Sequence, residues 1–326
     1  MKQVVVSRPG GPDVLTFREA PHPQPRYGEV VVRVAAVGLN RADILQRRGY
    51  YPAPPGIDPD VLGLEFAGVI ERVGEGVSGL SIGTGVMGIV PGGAYSEEIA
   101  VCAADILRCP RSSSLIEAAA IPEAFITAYD ALVLQAGIRS GDRVLVHAAA
   151  SGVGVAATQL AKAVGATVFG TTRSLPKMAR LKEFGVDVPL LATERWDCQL
   201  LENTSGQGVD VILDLVGGDY VGNDLRVIAN CGRIVIVGLL AGTAASVHLG
   251  TLLSKRVTMI GTVMRSRPSW ERAKLAQDVQ KHLIPLFETG AVRPVVDRVF
   301  RMDAVADAHR VMENNELVGC AVLVWN

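Results

Sequence analysis

Residues Arg143 to Thr172, RVLVHAAASGVGVAATQLAKAVGATVFGTT, decide the fold of this chain. Arg143 to Ala148 is a short apolar run rich in β-formers, a turn of small residues follows, Val155 to Val164 keeps helical spacing, and Thr167 to Thr172 is β-rich again. Strand, tight turn, helix and strand within about thirty residues predict the opening unit of a dinucleotide-binding sheet. The turn Ala149-Ala150-Ser151-Gly152-Val153-Gly154 lets a backbone approach a pyrophosphate, whose charge the helix N-terminus favours. Ala149 and Ser151 stand where a G-x-G-x-x-G pattern has its first two glycines, and only Gly154 keeps its place. The same small residues would also serve close strand–helix packing.

An acid roughly twenty residues past such a turn would bind the ribose 2′-hydroxyl of NAD. Here the strand ends in Thr171-Thr172-Arg173-Ser174-Leu175-Pro176-Lys177, with no carboxylate. Arg173 offers a planar fork and Lys177 a point charge, two ways of holding a 2′-phosphate. NADPH is therefore expected in preference to NADH; a solvated basic loop is the plainer alternative.

Outward from this stretch, 326 residues are enough for two domains, and 49% hydrophobic residues with 35 glycines suit a globular α/β protein. Lys plus Arg number 32 against 33 Asp plus Glu, so whole-chain charge attracts neither nucleic acid nor an anionic membrane. Met1 to Ser7 lacks the pattern of a secretory leader, and the uncharged run Val144 to Ala161 is broken by His147, Ser151, Thr158, Gln159 and glycines, which favours strand, turn and helix over a membrane span. Five scattered cysteines with no C-x-x-C spacing fit a reducing cytoplasm and no zinc ribbon.

Before about Glu117 the chain reads as short β-runs between Gly and Pro: Gln3 to Val6, Val14 to Glu19, Glu29 to Val37, Gly68 to Val73, Gly85 to Val90 and Tyr95 to Val101. That spacing predicts an antiparallel, barrel-like domain. Ser113 or Ser114 with Glu117 caps the next helix. After the opening unit come a helix over Lys177 to Phe184, a strand over Val209 to Asp214, a helix over Asp219 to Ile228 and strands over Arg233 to Val237 and Val257 to Val263. Strand–helix alternation predicts a doubly wound parallel sheet, with Gly217, Gly218 and Gly238 just past strand ends, where such sheets bind ligands. A helix over Trp270 to Glu288, β-rich Val295 to Phe300, a helix over Ala304 to Glu313 and a strand over Ala321 to Val324 return to the first domain, and the two domains are expected to share a cleft. His147 is read as a packed core histidine.

Arg8-Pro9-Gly10-Gly11-Pro12, Gly38-Leu39-Asn40-Arg41-Ala42-Asp43, Gly63-Leu64-Glu65-Phe66-Ala67-Gly68, Ala120-Ile121-Pro122 with Thr127-Ala128-Tyr129, and Ala149 to Gly154 followed by Gln159 occur in this order. Through them the whole chain resembles the quinone oxidoreductase branch, which includes zeta-crystallin, of the zinc-free medium-chain dehydrogenase/reductase family. The resemblance implies a Rossmann-like doubly wound parallel sheet over 121–263 and a GroES-like, partly open antiparallel β-barrel domain over 1–120 and 264–326. It implies NADPH-dependent hydride transfer to a quinone or α,β-unsaturated carbonyl, with 2-enoyl thioester reduction and crystallin-like NADPH binding without useful turnover as alternatives.

The resemblance also implies roles for residues. Where zinc-dependent cousins hold a catalytic metal with Cys, His and Cys, this chain has Asn40, Leu64 and Glu123, so no metal is expected. Asn40 and Tyr51 match an Asn and a Tyr over the nicotinamide, expected as hydrogen-bond donors to the acceptor. Cofactor contacts are implied at Thr127, Ser151, Gly152, Val153, Gly154, Arg173, Ser174, Lys177, Val216, Gly217, Gly238, Leu239, Met264 and Arg265; a solvated basic turn is the alternative for the last two. Cys320 replaces a lysine that the family commonly carries near the cofactor. Val257 to Val263, apolar at the sheet's edge, is expected to pair with its twin in a homodimer, as the family commonly does.

Overall fold

The computed structural model describes residues 1–325, which divide into two units: Met1–Glu123 with Met264–Gly290 and the chain from Pro294 onward, and Ala124–Val263 with Ala291–Arg293. The first division falls between Glu123 and Ala124, three residues beyond the position read from sequence.

The first unit opens with the hairpin β1 (Lys2–Val6) and β2 (Leu15–Glu19), followed by the long strand β3 (Glu29–Leu39), helix α1 (Arg41–Arg47), β4 (Glu65–Val73), β5 (Gly85–Ile89), β6 (Glu98–Cys102), β7 (Leu107–Arg108) and the short helix α2 (Leu115–Ala118). Ser114 caps α2, and the Glu117 carboxylate returns a bond to the Ser114 amide at 2.8 Å. Strand β3 alternates inward valines and is the hub of the sheet, pairing antiparallel with both β4 and β6.

The second unit runs through the one-turn helix α3 (Thr127–Tyr129), β8 (Arg143–Val146), α4 (Gly152–Val164), β9 (Thr167–Thr172), α5 (Leu175–Arg180), β10 (Val188–Leu191), α6 (Trp196–Asn203), β11 (Val209–Asp214), α7 (Tyr220–Val227), β12 (Ile228–Ile236), α8 (Leu249–Lys255) and β13 (Thr258–Gly261). Its six strands lie in the order β10-β9-β8-β11-β12-β13, every pair parallel. The order reverses between β8 and β11, the switch point at which such sheets open a crevice. Leu145, Phe169, Leu190, Ile212 and Ile234 pack beneath it in one apolar cluster.

Sequence reasoning did not mark β10 or α6. Pro189 lies inside β10 and argues against a central strand, but β10 is an edge strand, where a missing amide hydrogen is tolerated. The chain then returns to the first unit as α9 (Ser269–His282), α10 (Ile284–Glu288), β14 (Val296–Arg301), α11 (Val305–Glu313) and β15 (Cys320–Val324). The helix expected to run unbroken from Trp270 to Glu288 is two, since Pro285 removes an amide donor at the start of α10. Strand β15 pairs antiparallel with β3 and parallel with β14, so this otherwise antiparallel sheet contains one parallel pair, joined by the crossover helix α11. Val30 and Val32 of β3, Phe66 and Ile70 of β4, Leu323 of β15 and Leu62 belong to one apolar core.

Candidate functional site

In the second unit, the turn after β8 is shaped by close backbone packing. Ala148 takes a left-handed conformation at φ 48°, and Ser151 begins α4 with its Oγ accepting the Gly154 amide at 3.1 Å. A Cβ on Gly154 would lie 2.5 Å from the Ala148 carbonyl oxygen and 2.7 Å from Ala149 Cα, so only glycine fits. Gly152 and Val153 start the helix with amides that have no carbonyl one turn back, and α4 aims them, with its dipole, at whatever lies before the turn. Thr127, 4% exposed, keeps a buried Oγ1 with no hydrogen-bond partner among the described residues. These features fit a dinucleotide: an anion cradle at a helix start, with an orphaned hydroxyl for a polar ring substituent.

At the end of β9, Thr171 and Thr172 are buried, Arg173 is exposed and Ser174 stands just before α5, with no side-chain capping bond; α5 carries Lys177. No acid lies in this strip. Val216 and Gly217 are held differently, because both amides donate to the buried Asp214 carboxylate, at 2.7 and 2.9 Å. Their loop offers close approach rather than free amides. A Cβ on Gly238 would lie 2.4 Å from the Leu215 carbonyl oxygen, and Leu239 next to it is exposed. His147 is wholly buried, bonded through Nδ1 to Thr171 Oγ1 at 2.9 Å and through Nε2 to Asp224 at 2.8 Å, and meets the stacked rings of Trp196 and Tyr220 edge-on.

In the first unit the structure gathers residues that sequence reasoning kept apart. Asn40 ends β3, and its Nδ2 donates to Glu65 Oε1 at 2.7 Å and, more weakly, to the Gly38 carbonyl at 3.4 Å. The other Glu65 oxygen accepts the Glu123 amide at 2.8 Å. Both hydrogens of the Asn40 amide are thus directed at protein acceptors, and the side chain braces Glu65. Glu65 is 1% exposed, and a Cβ on Gly38 would fall 2.0 Å from its Oε1, which shows how tightly that oxygen is walled in.

Asp43 completes a trio of acids. Its carboxylate accepts the Asn40 amide at 2.8 Å, the Gly63 amide at 3.0 Å and the Tyr95 hydroxyl. The direction of the last bond follows from its neighbours. Arg47, which only donates, lies 3.0 Å from His309 Nδ1, so Nε2 carries the hydrogen and points it at the Tyr95 oxygen 3.2 Å away. Burial, with Arg47 beside it, lowers the His309 pKa to about 3 and keeps the ring neutral.

Burial raises Asp43 to about 6 against the pull of its donors, which leaves it ionised at neutral pH. Burial and then the Glu123 charge raise Glu65 to about 8, while burial and then the Asp43 charge raise Glu123 to about 7. Glu65 and Glu123 therefore share protons near neutrality and titrate as a pair. Cys320 lies close enough for the Glu65 charge to add to the burial that raises its thiol.

Met264 and Arg265, expected at the cofactor, are 7% and 6% exposed and fold with the first unit. The Arg265 guanidinium donates to Pro91 O at 2.6 Å, Gln46 Oε1 at 2.6 Å and the carbonyls of Tyr51 and Pro52 at 3.3 and 3.4 Å. It also lies 4.8 Å from the centre of the Tyr51 ring. Arg265 is thus the clamp of the loop that carries Tyr51. Tyr51 is half-buried, burial raises its phenol pKa, and its hydroxyl makes no hydrogen bond among the described residues.

The residues at the cousins' zinc positions do not make a zinc site. Leu64 offers only aliphatic carbon, Asn40 is engaged by Glu65, and Glu123 alone remains. Among the described residues, no group of three or more His, Cys, Asp or Glu is arranged to hold a metal, and no helix is long and apolar enough to cross a membrane.

Two family models match the chain: the one described as alcohol dehydrogenase GroES-like domain over residues 26–111 and the one described as zinc-binding dehydrogenase over 152–281. The synaptic vesicle membrane protein VAT-1 homolog of Rattus norvegicus is 34% identical over 99% of this chain and 84% of its own length. The solved Escherichia coli quinone oxidoreductase complexed with NADPH superposes with a TM-score of 0.88 at 29% identity, covering 99% of this chain and all of that one. The apo JamJ enoyl reductase superposes with a TM-score of 0.90 at 33% identity, covering 100% and 99%.

Proposed function

The chain belongs to the medium-chain dehydrogenase/reductase family of oxidoreductases, and from that premise we propose that it uses NADPH to reduce a quinone or an α,β-unsaturated carbonyl without a metal. One observation carries the proposal: where cousins hold a Lewis acid, this chain has the amide of Asn40, the aliphatic Leu64 and a carboxyl. An acceptor that is already electrophilic needs no metal to take a hydride. When bound, the nicotinamide supplies that hydride.

The chain's own residues bind and orient. The α4 N-terminus with Ser151, Gly152, Val153 and Gly154 takes the pyrophosphate, Thr127 bonds the carboxamide, and Gly217, Gly238 and Leu239 give close contact. Arg173, Ser174 and Lys177 take the 2′-phosphate, for which the absence of an acid at the end of β9 speaks. The Tyr51 hydroxyl, on a loop fixed by Arg265, donates to the acceptor's oxygen. A homodimer through β13, at the edge of the six-stranded sheet, and a cytoplasmic setting complete the proposal.

Likeness to an enoyl reductase favours one second reading, reduction of a 2-enoyl thioester. NADPH absorbance with a panel of quinones, enones and a crotonyl thioester tests both. Turnover of quinones or enones supports the first, turnover of the thioester alone supports the second, and tight NADPH binding with no turnover would leave a crystallin-like binding protein.

A further inference from the structure

Hydride transfer to a carbonyl-containing acceptor leaves an oxyanion, and the reaction is complete only when a proton follows. The first unit holds a candidate donor in Glu123, which lies within charge–charge range of Tyr51, Arg265, Asp43 and Glu65. These come from four parts of the chain: the Tyr51 loop, the segment after β13, α1 and β4.

The three acids differ in what their oxygens are doing. Asp43 is enclosed by three donors and stays a carboxylate. Both oxygens of Glu65 are taken, by the Asn40 side chain and the Glu123 amide, and its surroundings are closed. Glu123 is half-buried, yet its Oε2 is enclosed and has no hydrogen-bond partner among the described residues. A buried polar atom without a partner is uncommon in a folded protein and calls for a use. Glu123 also sits in the π-helical turn Pro122–Ile126, a widened geometry frequent at functional sites.

We propose that Glu123, propped by Glu65 and placed beside Tyr51 and Arg265, is the acid that gives its carboxyl proton to the oxygen of the reduced acceptor. The step balances: the hydride carries two electrons and one hydrogen from the reduced nicotinamide to the acceptor carbon. The Glu123 O–H bond breaks as the acceptor O–H bond forms, Glu123 is left a carboxylate, and water returns the proton. Neighbouring charges make this workable at neutral pH. The fixed negative charge of Asp43 and the burial of the site keep the proton on Glu123 until it is needed, and the Arg265 cation opposes them enough for release.

The inference rests on the oxidoreductase reading above, and its test separates the two. Infrared titration of the cofactor-free protein should show a carboxylic acid band persisting to about pH 7, with one component missing in Glu123→Gln. With an acceptor turned over by the wild type, Glu123→Gln should lower kcat by roughly 10²-fold and abolish the alkaline fall of kcat, with NADPH affinity within about twofold of wild type. Glu123→Asp should restore the alkaline limb, which a purely structural role would not do. An unchanged kcat and pH profile in folded Glu123→Gln, or an unchanged infrared band, overturns the inference. If Glu123→Gln does not fold, the band is followed in Glu65→Gln, where its loss by about pH 6 overturns the inference instead. A wild type that reduces no acceptor while showing a band component that Glu123→Gln lacks sinks the functional reading and leaves the acid in place.

Discussion

Replacing Glu65 by Gln should remove much of the loss of stability that this protein suffers in alkali. Glu65 has a folded-state pKa raised from 4.5 to about 8, so its contribution is fully present below pH 4.5 and is lost as pH rises through 8. A shift of that size corresponds to roughly 5 kcal/mol across the interval. Gln fills the same space and still accepts from Asn40 Nδ2, but it presents an amide nitrogen to the Glu123 amide in place of Oε2. Losing that one bond costs about 1 to 2 kcal/mol at pH 5. The wild type should therefore be the more stable protein at pH 5, and Glu65→Gln the more stable at pH 9, by roughly 3 kcal/mol. Urea unfolding of the cofactor-free proteins at half-unit steps of pH would show the two curves crossing. Parallel curves would mean that Glu65 is ionised throughout and that the account of the acid trio is wrong.

Arg173→Ala should weaken NADPH binding about ten- to a hundredfold and leave NADH nearly unchanged, as measured by titration calorimetry, because only the 2′-phosphate loses a charge-assisted contact. Tyr51→Phe should cost roughly 1 to 3 kcal/mol in kcat/KM for an accepted quinone or enone without altering NADPH affinity; unchanged kinetics would make Tyr51 part of the wall. Arg265→Lys cannot reproduce four contacts to Pro91, Gln46, Tyr51 and Pro52, so it should raise KM for the acceptor and speed proteolysis in the Tyr51 loop.

The fold was legible in sequence wherever period and punctuation agreed. Strand β8, the small-residue turn, α4 and β9 declared themselves because alternation gave way to helical spacing at a turn of small residues. Strand β10 did not, since Pro189 carries the signal of a break and only the finished sheet shows that the break lies at an edge. The acid trio was invisible for a different reason. Asp43, Glu65 and Glu123 are far apart in sequence, and each is unremarkable alone: a helix-turn acid, the middle of a Gly-Leu-Glu-Phe motif, and a poor zinc ligand. What makes them a site is shared burial, which no local pattern encodes. Asn40 and Arg265 show the complementary limit, because residue type declares a donor but not which acceptors of the folded chain it meets.

The central position of β15 bears on how the protein is made. Every strand of the six-stranded sheet lies within one continuous stretch, so that unit's core can close while synthesis is still under way. In the other unit, Ala321 of β15 pairs with Leu39 of β3, a contact between segments separated by nearly the whole chain. Until β15 emerges, the end of the hub strand from Ala36 to Leu39 lacks the pairing that β15 gives it, and β14 lacks its partner β15. Long-range pairing of this kind is slow, and an open strand edge is a template for the wrong partner. Folding on the ribosome should therefore be ordered, with the parallel sheet first and the antiparallel one last, and chains that stall before β15 should be the ones that aggregate.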